Sequence, residues 1–282
     1  MCVDCLLGKT LTNYPPTAQP AQIEEYQRRV RTAIDERGER CGPEVSAQIN
    51  RAYRELFGPG RDYSEIKRHF NELMLTFEPR LQAAVEAADD SLRLAIQYAM
   101  AGNLIDFSAF KSVEDEKLRE VLDTAAGLAI DDKVLARLRR ELSSARRLVF
   151  FTDNCGEIVT DKILIRAISR FAPGLHITVI VKGEPVVNDA TMEDARQVGM
   201  AQAADAVMDS GSGMAGTVLS DLSPQARCVI DGADVLIAKG QANYESLGDC
   251  GKNLFYIFMC KCPLFTERFG VPLYSGILIS ER

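Results

Sequence analysis

The pattern of apolar and polar residues changes character near residue 146. Before that point apolar residues recur three or four positions apart with charged residues between them, which is the pattern of amphipathic helices. The predicted helices cover residues 21–42, 43–57, 64–77, 79–100, 114–126 and 131–145. Residues 1–20 contain a Cys-x-x-Cys pair and a proline-rich stretch typical of a loop. We therefore predict a helical N-terminal domain or cap over residues 1–140.

From residue 146 onward short apolar runs alternate with helical stretches. The predicted strands are residues 147–152, 176–182, 205–209, 227–230 and 234–238, with a further candidate at 254–260. This alternation is typical of βαβ units, in which a mostly parallel sheet is covered by helices. Residues 141–282 are therefore predicted to form an α/β domain, within which residues 266–282 carry little signal.

The first of these units is the stretch RRLVFFTDNCGEIVTDKILI, residues 146–165. A buried strand ends there, Asp153 and Asn154 follow, and a helix begins a few residues later. In open α/β sheets ligands bind at that edge. The alternative interpretation is that one of these two side chains merely caps the helix.

Similar loops follow three later strands. The loop KGEPVVNDAT carries Lys182, Asn188 and Asp189, and the loop KGQANYES carries Lys239, Gln241 and Asn243. Between them lies SGSGMAGT, whose small residues leave backbone amides suited to an anion. Each loop by itself could be an ordinary turn or cap. Because parallel strands end at one edge of a sheet, we expect the four loops to converge on one pocket.

The chemistry of this pocket indicates a hard cation next to a phosphate. Asp153, Asn154 and Asp189 offer oxygen ligands of the kind that Mg²⁺ or Mn²⁺ prefers. Lys182 and Lys239 could pair with phosphate oxygens, and phosphoryl transfer depends chiefly on positioning and charge stabilisation. The hypothesis is in-line attack by water on phosphorus, with a nearby acid that the sequence does not identify taking the proton.

Several familiar phosphate motifs do not occur in the sequence. The chain has no G-x-x-x-x-G-K-[ST] pattern and no G-x-G-x-x-G after the first predicted strand, which argues against a dinucleotide site there. No Asp-x-Asp pair follows that strand, so we do not expect an aspartyl-phosphate intermediate.

The segments TDNCGEIVTDK, VKGEPVVNDATMEDA, DSGSGMAGT and IAKGQANYESL, with AGNLIDF at residues 101–107, occur in an order that resembles the damage-control phosphatase (ARMT-like) family. This family was formerly called domain of unknown function eighty-nine, and CVDC near the start resembles its prokaryotic branch with an N-terminal Cys-x-x-Cys. The resemblance implies a helical N-terminal part on a three-layer α/β/α, Rossmann-like domain. It also implies a phosphatase that uses Mg²⁺, Mn²⁺, Ni²⁺ or Co²⁺ and acts on small phosphorylated metabolites such as sugar phosphates.

The resemblance also implies roles for individual residues. It assigns the metal site to Asp153, Asn154 and Asp189 and phosphate binding to Lys239. The remaining candidates for the substrate pocket are Lys182, Asn188, Gln241, Asn243, Asn103, Asp106 and Glu157. Glu157 and Asp161 follow the Asp-Asn pair and could orient ligands or a water. The alternative for Asp161 is an ordinary solvated acid on an exposed helix.

The chain has eight cysteines, and their roles are open. Cys2 and Cys5 could hold a second metal as zinc or an iron–sulfur cluster, but a zinc site usually needs four ligands. Cys250, Cys260 and Cys262 are available if the two ends of the chain meet; the alternative is that all are small buried thiols. Cys155 could likewise be a reactive thiol near a cation or a residue that fills space.

Composition sets broader limits. The 282 residues are 46% apolar and 26% charged, as in ordinary soluble proteins, and the net charge of −7 argues against nucleic acid as a partner. Neither a signal peptide nor a run of membrane-spanning length is evident, so we expect a cytoplasmic protein with reduced cysteines and no membrane association. Only His69 and His176 are present, which disfavours histidine-based catalytic or metal sites.

Two other functions share part of this pattern. One is an S-adenosylmethionine-dependent carboxyl methyltransferase, since methylation has also been proposed for this family. The other is a protein that binds a phosphate ligand without turnover. A nucleoside pocket usually has a glycine-rich first loop and an acid after the second strand, whereas here Asp153 and Asn154 occupy the first loop and Lys182 the second. This favours phosphate, but the natural ester, the metal and the oligomeric state are not given by the sequence.

Overall fold

The computed structural model describes residues 3–104 and 115–281. Its helices are α1 (Val3–Thr10), α2 (Pro20–Asp35), α3 (Gly42–Phe57), α4 (Ser64–Ala87), α5 (Ser91–Gly102), α6 (Asp115–Thr124), α7 (Asp132–Ser144), α8 (Glu157–Phe171), α9 (Met192–Gln197), α10 (Pro224–Asp231), α11 (Gln241–Leu247) and α12 (Pro263–Phe269). Its strands are β1 (Arg147–Phe151), β2 (His176–Val181), β3 (Ala206–Asp209), β4 (Val235–Lys239), β5 (Leu254–Met259) and β6 (Gly276–Ser280).

The six strands form one sheet in the order β3-β2-β1-β4-β5-β6. Strands β1 to β5 run parallel, and β6 pairs antiparallel with β5. Strand β1 lies in the middle, and the chain moves outward first through β2 and β3 and then through β4 and β5. The order therefore reverses between β1 and β4, and open sheets bind ligands at the carboxyl ends of such strands.

Side chains alternate between the two faces of the sheet and build one core on each. Phe150 and Val179 contribute to the core shared with α4 to α8, whereas Phe151 and Tyr256 contribute to the core shared with α10 to α12. Both faces are covered, so the strands read as continuous apolar runs. The predicted three-layer α/β/α fold with a mostly parallel sheet is confirmed.

The N-terminal helices divide between two apolar clusters. Helices α1 to α3 have a cluster of their own around Tyr26, Val30 and Ile49. Helices α4 to α7 instead share one core with the sheet and with α8. The packing of α4 to α7 on the sheet crosses the predicted boundary between residues 1–140 and 141–282. The division into two domains therefore stays a prediction.

One predicted element was wrong in kind, and one helix was not predicted. Residues 227–230 lie in α10 rather than in a strand, because Ser223 accepts a hydrogen bond from the Ala226 amide and Pro224 occupies the first helical turn. Residues 3–10, for which no helix or strand was predicted, form α1.

Other differences concern where elements begin and end. The predicted break before Pro79 is absent, since α4 continues through this residue, and the chain instead breaks after Ala87, where Asp90 caps α5. Strand β6 lies in the region that carried little sequence signal. Among the described residues, none of the helices combines the length and apolarity needed to cross a bilayer.

Helices α5 and α8 pack closely enough that one contact needs a glycine. A methyl group on Gly102 would lie 2.2 Å from Thr160 Oγ1, an atom that is itself hydrogen-bonded to the Glu157 carbonyl. We expect Gly102→Ala to lower the free energy of unfolding by about 1–3 kcal/mol through overpacking. Urea unfolding followed by circular dichroism measures this change.

The matched control is Gly127→Ala, because a methyl group there meets no atom within 4 Å. Equal stability of the two variants would contradict the close packing of α5 on α8.

Candidate active site

The candidate site lies where β1, β2 and β4 end. Asp153 follows β1, Asp189 lies in the loop after β2, and Gly240 follows β4. Gly240 has a φ of 82°, and a methyl group on it would lie 2.0 Å from Asp153 Oδ2. Glycine therefore allows the turn after β4 to approach the Asp153 carboxylate.

The first two loops are joined directly through their backbones. The Cys155 amide donates to the Asn188 carbonyl at 2.8 Å, and the Ala190 amide donates to the Asp153 carbonyl at 2.8 Å. Asn154 and Asp189 form an isolated antiparallel bridge. The structure thus brings together the three residues predicted as metal ligands, as the convergence of parallel strand ends requires.

Two carboxamides hold the acids of the first loop. Asn103, at the end of α5, donates to Asp153 Oδ2 at 2.9 Å and to Glu157 Oε2 at 2.8 Å. Asn154 donates to the same two oxygens, at 2.8 Å in each case. The oxygen of Asn103 in turn accepts from the Met259 amide. Asn103 therefore fixes the two acids relative to the ends of α5 and β5.

Lys239 lies next to Glu157 and has no exposed surface. Its ammonium donates to Glu157 Oε1 at 2.5 Å, to Asp161 Oδ1 at 2.7 Å and to the Ala99 carbonyl at 2.9 Å. An ammonium has three N–H donors, so each is used inside the protein. Binding of phosphate by Lys239 stays a prediction, and it would require exchange of one of these partners.

Asp161 is not a solvated acid, because it is fully buried in α8. The Lys239 ammonium thus faces two carboxylates, and the pKa values of these carboxylates shift in opposite directions. Burial raises the pKa of Asp161 to about 7 and outweighs the charge of Lys239. Burial also acts to raise the pKa of Glu157, but Lys239, Lys261 and hydrogen bonds outweigh it and lower the pKa. Glu157 is therefore the ionised partner of Lys239, and Asp161 readily retains a proton.

Lys182 connects the second loop with the small-residue loop. Its ammonium donates to the Gly216 carbonyl and lies 3.6 Å from Asp189 Oδ2. The Gly183 amide also donates to the Ser212 carbonyl at 2.9 Å. The small-residue loop thus packs on the second loop, beside the predicted metal residues.

The remaining predicted pocket residues have different surroundings. Asn188 is buried, and its Nδ2 has no hydrogen-bond partner among the described residues. Asn243 holds loops together, since it donates to the Thr152 and Lys239 carbonyls. Gln241 is half-buried and donates to Cys262 Sγ at 3.8 Å. Asp106 lies outside the described residues.

The two loop acids are buried with too little positive charge around them. Burial and the neighbouring charges of Glu157 and Asp189 raise the pKa of Asp153 well above its ordinary value. Burial also raises the pKa of Asp189 to about 6, against the opposing effect of Lys182. Asp189 Oδ2 accepts no hydrogen bond from the described residues.

These residues fit a hard divalent cation. Two carboxylates and a carboxamide supply oxygen donors, and the buried Asp189 Oδ2 accepts no hydrogen bond from the described residues. Within residues 3–104 and 115–281, no cluster of three or more His, Cys, Asp or Glu side chains has metal-binding geometry. The fit therefore depends on Asn154 as the third donor.

Sequence reasoning missed Lys261, which follows β5 at the same edge of the sheet. Its charge acts to lower the pKa of both Asp153 and Glu157, which places it close to the acids of the first loop. It is half-buried, unlike Lys239. The sequence signal available was its position directly after an apolar run.

A cavity of about 310 Å³ opens beside the second loop. Its lining includes Tyr63, Pro185, Val187 and Thr191, but none of the predicted metal residues. The cavity therefore adjoins the second loop without containing the acids of the site.

The cysteines that the structure describes differ in their exposure. Cys155 is fully buried and burial raises its pKa, so this thiol fills space in the first loop. Cys2 lies outside the described residues, and Cys5 is exposed on α1. The second metal at Cys2 and Cys5 therefore stays a prediction. Cys250, Cys260 and Cys262 are free thiols.

Comparison with known proteins identifies the family. The sequence matches the model of the Damage-control phosphatase ARMT1-like domain over residues 1–277. The chain belongs to this family.

Individual members of the family are similar to this chain in sequence or in fold. A damage-control phosphatase from Archaeoglobus fulgidus is 33% identical over 231 residues, which are 80% of this chain and 78% of that protein. Another from Pyrococcus horikoshii is 34% identical over 192 residues, 67% of this chain and 64% of that protein. A crystal structure of a DUF89 family protein from Pyrococcus horikoshii superposes with a TM-score of 0.80 at 24% identity, covering 100% of this chain and 98% of the other. This last likeness concerns the fold.

The raised pKa of Asp161 predicts a pH dependence of stability. The ordinary value is 3.8 and the folded value about 7, so between these values the folded protein binds a proton that the unfolded chain has lost. Stability from this group therefore falls as pH rises from about 4 to about 7 and is constant above that range. We expect Asp161→Asn to remove this slope, by at most about 1.4 kcal/mol per pH unit.

Urea unfolding at pH 5, 6, 7 and 8 without added metal measures the slope. Asp89→Asn is the control, because Asp89 is an exposed acid. A slope in Asp161→Asn equal to that of the parent protein would contradict a protonated Asp161.

Proposed function

We propose that this chain is a divalent-metal-dependent phosphatase that hydrolyses small phosphorylated metabolites such as sugar phosphates. The observation that carries the proposal is the convergence of two under-neutralised buried acids, Asp153 and Asp189, with Lys182 and Lys261 at one sheet edge. Membership of the damage-control phosphatase family and the names of its relatives support a phosphatase.

Asp153, Asn154 and Asp189 would hold the metal, for which Mg²⁺, Mn²⁺, Ni²⁺ and Co²⁺ are the candidates. Both hydrogen bonds from Asn103 and Asn154 to Asp153 reach Oδ2, so these carboxamides would leave Oδ1 available as a donor to a cation. A bound divalent cation would supply charge neutralisation and polarise a phosphoryl oxygen. Asn103 and Asn154 keep the carboxylate of Asp153 in one orientation.

The phosphate would lie between the metal residues and the lysines. Lys182 is anchored beside Asp189, and Lys261 acts on Asp153 from the end of β5. These two cations can neutralise the phosphoryl oxygens, and the unpartnered Nδ2 of Asn188 can donate to one of them. Lys239, by contrast, supports the site from below by balancing the acids of α8.

The proposed reaction is hydrolysis of the ester. A water oxygen attacks phosphorus in line with the ester oxygen, and the ester P–O bond breaks. Of the two protons of the water, one is transferred to the leaving oxygen and the other stays with the phosphate, so the products are an alcohol and inorganic phosphate. Negative charge on the phosphoryl oxygens is stabilised by the lysines, which is the main demand of phosphoryl transfer. A cytoplasmic location and a partner set limited to small phosphorylated molecules remain predictions from the sequence.

Asp153→Ala should abolish metal-dependent turnover while the protein remains folded. The change removes a carboxylate that would otherwise contact the cation, and we expect a loss of at least about 10²-fold in kcat/KM. The assay is hydrolysis of p-nitrophenyl phosphate and a panel of sugar phosphates with Mg²⁺, Mn²⁺, Ni²⁺ or Co²⁺, with chelator controls. Full activity of Asp153→Ala at saturating metal would refute the assignment.

Two other results, from binding measurements made beside this screen, would replace the proposal. Phosphate binding without turnover under every metal would indicate a ligand-binding protein. Binding of S-adenosylmethionine in isothermal titration would indicate a methyltransferase.

Lys261→Met should weaken use of phosphate esters. Removal of a positive charge beside Asp153 leaves phosphoryl oxygens less well neutralised, so we expect kcat/KM to fall by about 10²-fold. Steady-state kinetics at saturating metal measures this change.

Lys252→Met is the matched control, because Lys252 lies before the start of β5 and pairs with Asp231 at the protein surface. If both lysine variants keep the kcat/KM of the parent protein, Lys261 does not face the phosphate.

A further inference from the structure

Asn71, on α4, is a buried carboxamide between the two loops of the candidate site. It has no exposed surface. Its Oδ1 accepts from the Gly156 amide at 2.7 Å, and its Nδ2 donates to Asp194 Oδ1 at 2.9 Å and to Gln197 Oε1 at 2.8 Å. A single side chain of the helical layer therefore contacts the first loop and the helix that follows the second loop.

The contact with Gly156 fixes the end of the first loop. Gly156 has a φ of 71° and directly precedes α8, so its amide is one of those that a helix start leaves without an intrahelical partner. Asn71 satisfies this amide from across the interface between α4 and α8. Asp153 and Asn154 lie three and two residues upstream, in the same loop.

The contact with Asp194 fixes the end of the second loop. Asp194 Oδ2 accepts from both the amide and the hydroxyl of Thr191, each at 2.8 Å, which caps α9. Asp194 also pairs with Lys67 at 2.7 Å, with both side chains almost fully buried. Thr191 comes two residues after Asp189, so this network limits how far the second loop can move.

The two loops are also bonded to each other, through the Cys155 amide to Asn188 and the Ala190 amide to Asp153. Asn71 and Asp194 close these bonds into a ring. We propose that Asn71 is a positioning residue for the metal site, setting the separation between Asp153 and Asn154 on one loop and Asp189 on the other. This inference rests on the metal site of the proposed function.

The polarity of the amide explains why asparagine is required. Gly156 needs an acceptor, whereas Asp194 and Gln197 need donors, and a carboxamide supplies both from one planar group. Residues that orient metal ligands in this way typically change metal affinity by about 10- to 100-fold when replaced. A merely structural amide would change stability instead.

The test compares Asn71→Ala and Asn71→Asp with Gln97→Ala. Gln97 is the matched control, because it is a buried carboxamide of α5 whose two hydrogen bonds, at 2.8 Å each, go to the Ala126 and Leu128 carbonyls, outside both loops. The probe is Mn²⁺ alone, with its dissociation constant measured on the folded proteins by electron paramagnetic resonance. Thermal unfolding without metal measures stability in parallel.

We expect Asn71→Ala to bind Mn²⁺ about 10- to 100-fold more weakly than the parent protein. Gln97→Ala should bind Mn²⁺ as tightly as the parent protein, although both variants lose stability. If Asn71→Ala does not fold, Asn71→Asp decides, since its carboxylate can still accept from Gly156 but opposes Asp194; it should also bind Mn²⁺ more weakly.

Unchanged Mn²⁺ affinity in folded Asn71 variants, with tight binding by the parent protein, would overturn the inference alone. Failure of the parent protein itself to bind Mn²⁺, Mg²⁺, Ni²⁺ or Co²⁺ would overturn the proposed function, and the inference with it.

Discussion

Buried negative charge is the constraint around which this molecule is arranged. Asp153, Glu157 and Asp161 follow β1, Asp189 follows β2, and each of these four residues is at most 8% exposed. An unpaired buried carboxylate is costly, so each must find a cation, a hydrogen-bond donor or a proton. Lys239 balances Glu157, Asp161 retains a proton more readily, and amides of Asn103 and Asn154 face Asp153. The charge left over on Asp153 and Asp189 is what a divalent cation would neutralise.

The helical layer is part of the site rather than only a cover. Helix α5 ends at the site, where Asn103 binds two of the acids and the Ala99 carbonyl accepts from Lys239. Helix α4 reaches it through Asn71. These contacts depend on close packing against α8, which Gly102 permits beside Thr160. The sheet therefore presents the acids, and the helices above it determine their orientation.

Much of the fold and part of the site could be predicted from the sequence. The alternation of strands and helices, the parallel sheet and the convergence of the first two loops follow from local apolar runs and from the direction of parallel strands. Asp161 shows where such reasoning is limited. An acid at a helical position usually indicates a solvated face, but α8 is packed between the sheet and the helices α4 and α5, so its polar residues are buried as well. Pro79 is a second example, since tertiary packing holds α4 continuous through a residue that usually ends a helix.

The sequence by itself determined which groups are present at the sheet edge, because a strand end is a local feature and parallel strands end together. Only the tertiary structure decided which partners each group has there. Lys239 is joined to Ala99 across 140 positions of the chain, Asn71 to Gly156 across 85, and Asn103 to Asp153 across 50. Contacts between residues so far apart in the sequence are not encoded in any local pattern. Whether a lysine is available to a ligand or pairs with a buried acid therefore depends on which helix packs against it.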